Sequence, residues 1–291
     1  MHQGEQHDRH EPHDHHGHGD GHGHQHPDET GLADLLDLDA EVLGSYLGEA
    51  LEWAARCLPQ PPRTVVDVGA GTGSGSLALA RHFGSAEVVA VDRSAEMLER
   101  LDAKARRDGL RSRLRLVEAD LETAWPSVDD VDLVWASSSL HEVADPDRLL
   151  RDVHSALRPD GLLVVVEAGF PLLLPADDEL GRPGWEARCH EALAEAGWNG
   201  YPDWTSSLEG AGFELVERRT FSEAADATLP ATRTYAYASL RHMRTGLEGR
   251  LPPEDLEVVD LLLDAEDRRG VLRRQDLSVR RTRTAWAASP S

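Results

Sequence analysis

The stretch Val65-Val-Asp-Val-Gly-Ala-Gly-Thr-Gly-Ser-Gly-Ser76 carries glycines at alternate positions, among them Gly69, Gly71 and Gly73, behind a β-branched run with an acid, Asp67, two residues before the first glycine. Glycines spaced this way let a backbone turn tightly and approach a ligand closely. Two phosphate-binding patterns compete for such a loop, and both fail here. The dinucleotide pattern G-x-G-x-x-G requires a third glycine where the chain has Ser74 or Ser76, and no Gly-Lys-Ser/Thr follows to make a nucleotide-triphosphate loop. Further along lie two more acids, Asp92 in VVAVDRS and Asp120 in VEADLE, then His141 in SSSLHEV and Glu167 in VVVEAG. Carboxylates and one imidazole set around a glycine loop suit a ligand that bears positive charge.

An aspartate at a strand's end repels a pyrophosphate and attracts an ammonium group. S-adenosylmethionine (SAM) has an amino-acid tail, a sulfonium and no phosphate. A carboxylate at Asp92 accepts protons from both ribose hydroxyls in nucleoside-binding α/β folds, and Asp120 stands where an adenine amino group would come. Each acid alone is equally well read as a helix cap or a solvated loop residue. Together, at the ends of three successive strands, they converge on the crevice where open α/β sheets bind ligands.

The elements that position these residues alternate. A helical pattern runs from Ala40 to Leu58 and stops at Pro59, Pro61 and Pro62. Strands are expected over Thr64–Val68, Glu87–Val91, Arg113–Val117, Val131–Ala136 and Leu162–Glu167, and helices over Ser74–Phe83 and Ser94–Asp108. Asp145-Pro146 is an N-cap followed by proline at the first helical position, and RPDG at 158–161 reads as a turn. Apolar strands alternating with helices imply a parallel sheet covered on both faces. Beyond it come a strand at Phe213–Phe221, mainly helix over 231–266, and a last strand at Leu277–Ala287.

The chain has 291 residues, 40% of them hydrophobic, and a formal charge of −23, which opposes nucleic-acid binding. Arg268, Arg269, Arg273, Arg274, Arg280, Arg281 and Arg283 form the one basic stretch, and their alternation with apolar residues reads as a solvated strand face. No signal-peptide pattern or membrane span is expected, and Cys57 and Cys189 fit a reducing, cytoplasmic setting. Ten of the fifteen histidines lie in the first 26 positions. Residues 1–30 are too polar to bury a core and are expected to be a disordered tail. Its imidazoles, among them His13, His15, His16, His18, His22 and His24, suit loose binding of Zn²⁺ or Ni²⁺. The competing reading is a passive, solubilising leader.

These motifs resemble those of the class I SAM-dependent methyltransferases. VVDVGAGTGSGSLALA is similar to the family's first motif, VVAVDRSAEML to its second and VEADLE to its third; DLVWASSSLHEVADPDRLLRDVHSALRPDGLLVVVEAG resembles its fourth and fifth strands. The resemblance implies a Rossmann-like, doubly wound, seven-stranded and mostly parallel sheet with an antiparallel last strand. It also implies a methyltransferase domain over 31–291, with helical lid insertions near 40–57, 170–205 and 231–270. Gly69, Gly71 and Gly73 would shape the loop around the methionine moiety, with Asp67 aiding its amino group. Asp92 would hold the ribose, with Arg93 and Met97 beside it; Asp120 and Leu121 would frame the adenine, and Ala136 and Ser137 would lie near the methionine end.

Methyl transfer asks the protein to position a nucleophile and exclude water. A base is required only where the nucleophile must lose a proton. His141 fits such a base or a substrate-orienting group; Glu142 stands where similar family members carry a second His. Glu167 fits a substrate-facing acid and a plain rim carboxylate equally. Trp185, Trp198, Tyr201 and Trp204 read either as a pocket lining or as lid packing, and His190 as a lid residue. The expected function is methyl transfer to a small-molecule acceptor at O, N or C. The alternatives are a non-catalytic SAM-binding protein that handles metal through its tail, and a nicotinamide-dependent oxidoreductase.

Overall fold

The computed structural model describes Met1 and residues 29–174, 182–198 and 203–291, with Glu29 and Thr30 as backbone only. The six tail histidines named above, and Tyr201, lie outside the described residues.

The chain opens with α1 (Glu29–Leu43) and α2 (Tyr46–Cys57). The first half of the sheet follows as β1 (Thr64–Val68), α3 (Ser74–His82), β2 (Glu87–Asp92), α4 (Ala95–Arg107) and β3 (Leu114–Glu118). The second half begins with β4 (Val131–Ser137), α5 (Pro146–Ala156) and β5 (Leu157–Ala168). Then come α6 (Trp185–Glu195), α7 (Thr205–Gly210), β6 (Phe213–Asp226), α8 (Pro230–Leu247), α9 (Pro253–Leu263) and β7 (Ser278–Pro290).

The strands form one seven-stranded sheet in the order β3-β2-β1-β4-β5-β7-β6. β1 to β5 pair in parallel, and β7 runs antiparallel between β5 and β6. This is the Rossmann-like arrangement that the motifs implied. The order reverses between β1 and β4, so a crevice opens at their C-terminal ends, the place where such sheets receive ligands. RPDG, read as a turn, instead lies within the span of β5; the register to β4 shifts between Val131 and Leu133, so these residues enter the strand as an irregularity.

Both faces of the sheet are covered, as the apolar strands require. On one, Val65, Leu133, Trp135 and Val164 pack with Leu51 and Trp53 of α2 and Leu101 of α4. On the other, Val66, Val134 and Leu163 pack with Leu149 and Val153 of α5, Leu208 of α7, Trp204 and Trp286. A third core lies apart from these, where Leu43 of α1, Trp185 and Leu193 of α6, Tyr235 of α8, Val259 of α9 and Val279 meet. Two helix starts follow the sequence: the Ser94 hydroxyl accepts from Met97 N–H at 3.3 Å and the Asp145 carboxylate from Arg148 N–H at 2.9 Å.

The single helix expected from Ala40 is two helices. A Cβ at Gly44 would stand 2.1 Å from the Ala40 carbonyl oxygen, so glycine is required where the chain leaves α1. Arg268, Arg269 and Arg273 of the basic stretch are exposed, but its part on β7 departs from a solvated face. Arg283 is 3% exposed; it donates to Asp39 (2.6 Å), to Glu223 and to the Leu43 carbonyl (3.2 Å), and stacks 4.2 Å over the Tyr46 ring. Arg281 and the Tyr235 hydroxyl bind the same Asp39, at 2.6 and 3.0 Å. Glu223 in turn accepts from Tyr46 N–H (2.7 Å) and the Ser45 hydroxyl (2.9 Å), which caps the start of α2. Charges this deep persist because every one is paired.

Candidate active site

The glycine loop joins β1 to α3 at the point where strand order reverses. Gly69, Gly71 and Gly73 have φ of 68°, 53° and 89°, backbone that side-chain-bearing residues rarely adopt. Two of the three are also hemmed in: a Cβ at Gly69 would lie 2.5 Å from Ser139 Cβ, and one at Gly73 would lie 2.1 Å from Leu101 Cδ1. Gly71 is different. The nearest atom to its imagined Cβ is Leu36 Cδ1, at 3.4 Å. Leu36 belongs to α1, so this helix lies across the loop.

Ion pairs hold α1 there. Lys104 on α4 binds Asp37 and, at 2.9 Å, the Thr72 carbonyl of the loop, while Arg100 binds Asp34 at 2.7 Å. At the helix's other end Asp39 is held by Arg281 and Arg283. These residues were missed in the sequence; the leucines at 32, 35 and 36 hinted at a helix, but it begins next to the histidine tail and is rich in aspartate.

Asp67 stands on β1, Asp92 ends β2 and Asp120 lies just beyond β3, and the three differ in setting. Asp92 is half-buried; its Oδ2 accepts from Gly71 N–H at 2.7 Å and its Oδ1 from Ser94 N–H at 2.9 Å. The carboxylate therefore ties β2 to the glycine loop and to the start of α4, and each oxygen keeps a lone pair for a further donor. Asp67 is 3% exposed and accepts from the Ser76 hydroxyl at 2.5 Å, beneath α3. Burial, opposed by Ser76 and aided by the charge of Asp92, pushes its carboxyl up to about 7. Asp120 is exposed at the end of β3 and accepts from Glu122 N–H at 2.9 Å. Arg93 beside Asp92 is exposed, whereas Met97 and Leu121 are buried at 5% and 8%.

Beyond β4 the chain runs through Ser137, Ser138 and Ser139 into a short 3-10 turn, Leu140–Glu142. Ser138 has φ of 53°, a left-handed conformation that costs a non-glycine residue about 1–2 kcal/mol. The Ser137 hydroxyl lies 3.2 Å from the Tyr46 hydroxyl, which brings the start of α2 to the mouth of β4. His141 and Glu167, 26 positions apart in the chain, meet: Nδ1 lies 2.8 Å from Glu167 Oε2. The other ring nitrogen lies 3.1 Å from Glu142 Oε1. Burial alone would lower the His141 pKa, but hydrogen bonds and charges from Glu142 and Glu167 outweigh it and lift it to about 9.

Two more imidazoles belong to the capping helices. His190 on α6 stacks on Phe170 at 5.0 Å, and burial pushes it down to about 4; His242 on α8 lies 4.8 Å from Trp198 and is also lowered by burial. The tryptophans do not share one pocket. Trp185 is buried in the third core and donates to the Asp255 carbonyl at 3.0 Å, while Trp204 is buried under the sheet's second face.

The donor set fits SAM. Gly71 keeps room beneath Leu36, Asp92 retains acceptor capacity beside it, and Lys104, the cation that reaches the loop, is already bound to Asp37 and Thr72. Among the described residues no group of three or more His, Cys, Asp or Glu is placed to hold a metal ion, and no helix is long and apolar enough to cross a membrane.

Residues 65–161 match the model of a family described as a methyltransferase domain. The match covers the span from β1 into β5, where the Rossmann-like sheet and the glycine loop agree with a methyltransferase domain. A malonyl-[acyl-carrier protein] O-methyltransferase of Laribacter hongkongensis is 35% identical over 113 residues, 37% of this chain and 38% of that protein. Methyltransferase GfsG of Streptomyces halstedii is 29% identical over 57% of this chain and 58% of its own. The alignments thus span well under two thirds of these relatives. A solved structure from Bacillus halodurans C-125, described as a candidate methyltransferase, superposes with a TM-score of 0.53 at 20% identity, over 85% of this chain and 100% of that one, which speaks for the fold.

Proposed function

We propose that the protein transfers a methyl group from SAM to a small-molecule acceptor. The observation that carries this is the Asp92 carboxylate joined to Gly71 N–H at 2.7 Å, in a loop roofed by Leu36 of α1. Gly69, Gly71 and Gly73 would cradle the methionine end, with Ser137 near it; Asp67, buried beneath α3, would support that loop through Ser76. Asp92, Arg93 and Met97 would hold the ribose, and Asp120 and Leu121 the adenine. SAM supplies the activated methyl group; the chain binds, orients and excludes water.

His141 and Glu167 are assigned to the acceptor. They lie at the ends of β4 and β5, next to the cosubstrate loop, and a buried carboxylate fixes the ring's orientation. The helices of the third core favour an enclosed small molecule over an exposed macromolecule. Calorimetric titration with S-adenosylhomocysteine (SAH) and a screen of acceptors with radiolabelled SAM test the reading; folded protein that binds neither SAM nor SAH overturns it.

The tail histidines are read as loose ligands for Zn²⁺ or Ni²⁺ in a reducing, cytoplasmic setting, a role separate from catalysis. Removing residues 1–30 should abolish metal binding and spare methyl transfer. Lost transfer with metal binding retained would reverse that assignment.

A further inference from the structure

The imidazole of His141 is held by two carboxylates of opposite character. Glu167, on Nδ1, is fully buried within β5, whereas the Glu142 side chain, on Nε2, is 67% exposed. His141 itself is 17% exposed. The inner contact is therefore fixed by the sheet, and the outer one is made by a side chain that lies mostly in water. An exposed ion pair of this kind is worth about 0–1 kcal/mol, so it yields readily to a better-placed acid.

We infer that Glu142 occupies the seat of the acceptor's own carboxylate: the methyl acceptor is a carboxylic acid, ionised at neutral pH, that displaces Glu142 from His141 Nε2. The inference rests on the methyltransferase reading above and narrows its acceptor class. Three features support it. Exchange of one carboxylate for another leaves the charge around the ring unchanged. Flanked by Glu142 and Glu167, the ring is held protonated, which suits an anchor for an anion and not a base for an alcohol or amine. A carboxylate also has two oxygens, so one binds Nε2–H while the other stays available for attack.

The attacking oxygen forms the new O–CH3 bond as the methyl carbon's bond to sulfur breaks, its electron pair remaining on sulfur. The carboxylate and sulfonium charges cancel, the products are a methyl ester and SAH, and no proton is transferred. Nothing in that step calls on a base.

The test is binding to the SAH-loaded full chain, followed by the 15N resonances of His141. The probes are acetate and benzoate, each set against its amide, in wild type and in Glu142→Gln. SAH binding is measured first; its absence would defeat the methyltransferase reading and is distinct from failure of this one. With SAH bound, removing the competing carboxylate should tighten acetate and benzoate by about two- to sixfold, since occupancy of the seat by Glu142 lowers apparent affinity in proportion. Both acids should shift the His141 Nε2 signal, and acetamide and benzamide should not. Amides that bind as well as acids, acids that leave His141 unmoved, or affinities unchanged by Glu142→Gln would each overturn the inference.

Discussion

Replacing Arg283 by methionine is the most exposing perturbation of how this fold holds its site. The guanidinium is 3% exposed and joins three elements: α1 through Asp39 and the Leu43 carbonyl, α2 through the Tyr46 ring, and β6 through Glu223. Methionine keeps most of the volume and none of the charge. Asp39 retains Arg281 and Tyr235, but Glu223, only 5% exposed at its side chain, is left with neutral donors alone. Breaking a buried pair from one side costs about 3–5 kcal/mol. For a chain of this size that corresponds to a fall in Tm of about 5–9 °C. The double variant Arg283→Met/Glu223→Gln removes the stranded charge while Gln still accepts from Tyr46 N–H, so it should recover about half of the loss or more. Urea and thermal unfolding of the wild type, both single variants and the double variant close the cycle. SAH affinity measured on the same proteins should fall with Arg283→Met, because α1 is released from the loop at one end. A single-variant loss under about 1 kcal/mol, or a double variant no better than Arg283→Met, would refute the reasoning.

Other perturbations separate packing from ligand contact. Gly73→Ala sets a Cβ 2.1 Å from Leu101 and should prevent folding, whereas Gly71→Ala has space and should fold, at a cost of about 1–2 kcal/mol for its positive φ, while losing SAH affinity; circular dichroism and calorimetry compare them. His141, raised to about 9, contributes stability in full below its unfolded value near 6.5 and loses it as pH rises through about 9. An NMR titration midpoint below 7 would contradict that. Asp67, raised to about 7, acts in the same sense over a lower window: stability declines as pH climbs from about 4 to 7, so Asp67→Asn should gain over wild type in unfolding experiments at pH 8 relative to pH 4.

The strands that carry the site were legible because their signals are local. β1, β2, β4 and the apolar part of β5 are short β-branched runs, and the loop after β1 declares itself by glycines that no other residue can replace at Gly69 and Gly73. Partners distant in the chain were not legible. Arg283 alternates with apolar neighbours as a solvated strand residue would, and only Asp39 and Glu223, 244 and 60 positions away, turn that side of β7 inward. The pairing of His141 with Glu167 follows from parallel β4 and β5 lying side by side, which spacing alone does not reveal. RPDG has turn composition, yet strand register absorbed it into β5. Most of α1, residues 31–39, was assigned to no element, because the partners of its aspartates, Arg100, Lys104 and Arg281, lie far along the chain.

Titration of SAH into the wild-type protein, alongside Asp92→Ala, bears most directly on the whole account. A saturable site in the wild type, weakened at least about thirtyfold by loss of the carboxylate that would hold the ribose, is the expected result, equivalent to about 2 kcal/mol for hydrogen bonds to a charged acceptor. Equal affinity in both folded proteins, or tighter binding of NADH than of SAH, would contradict it.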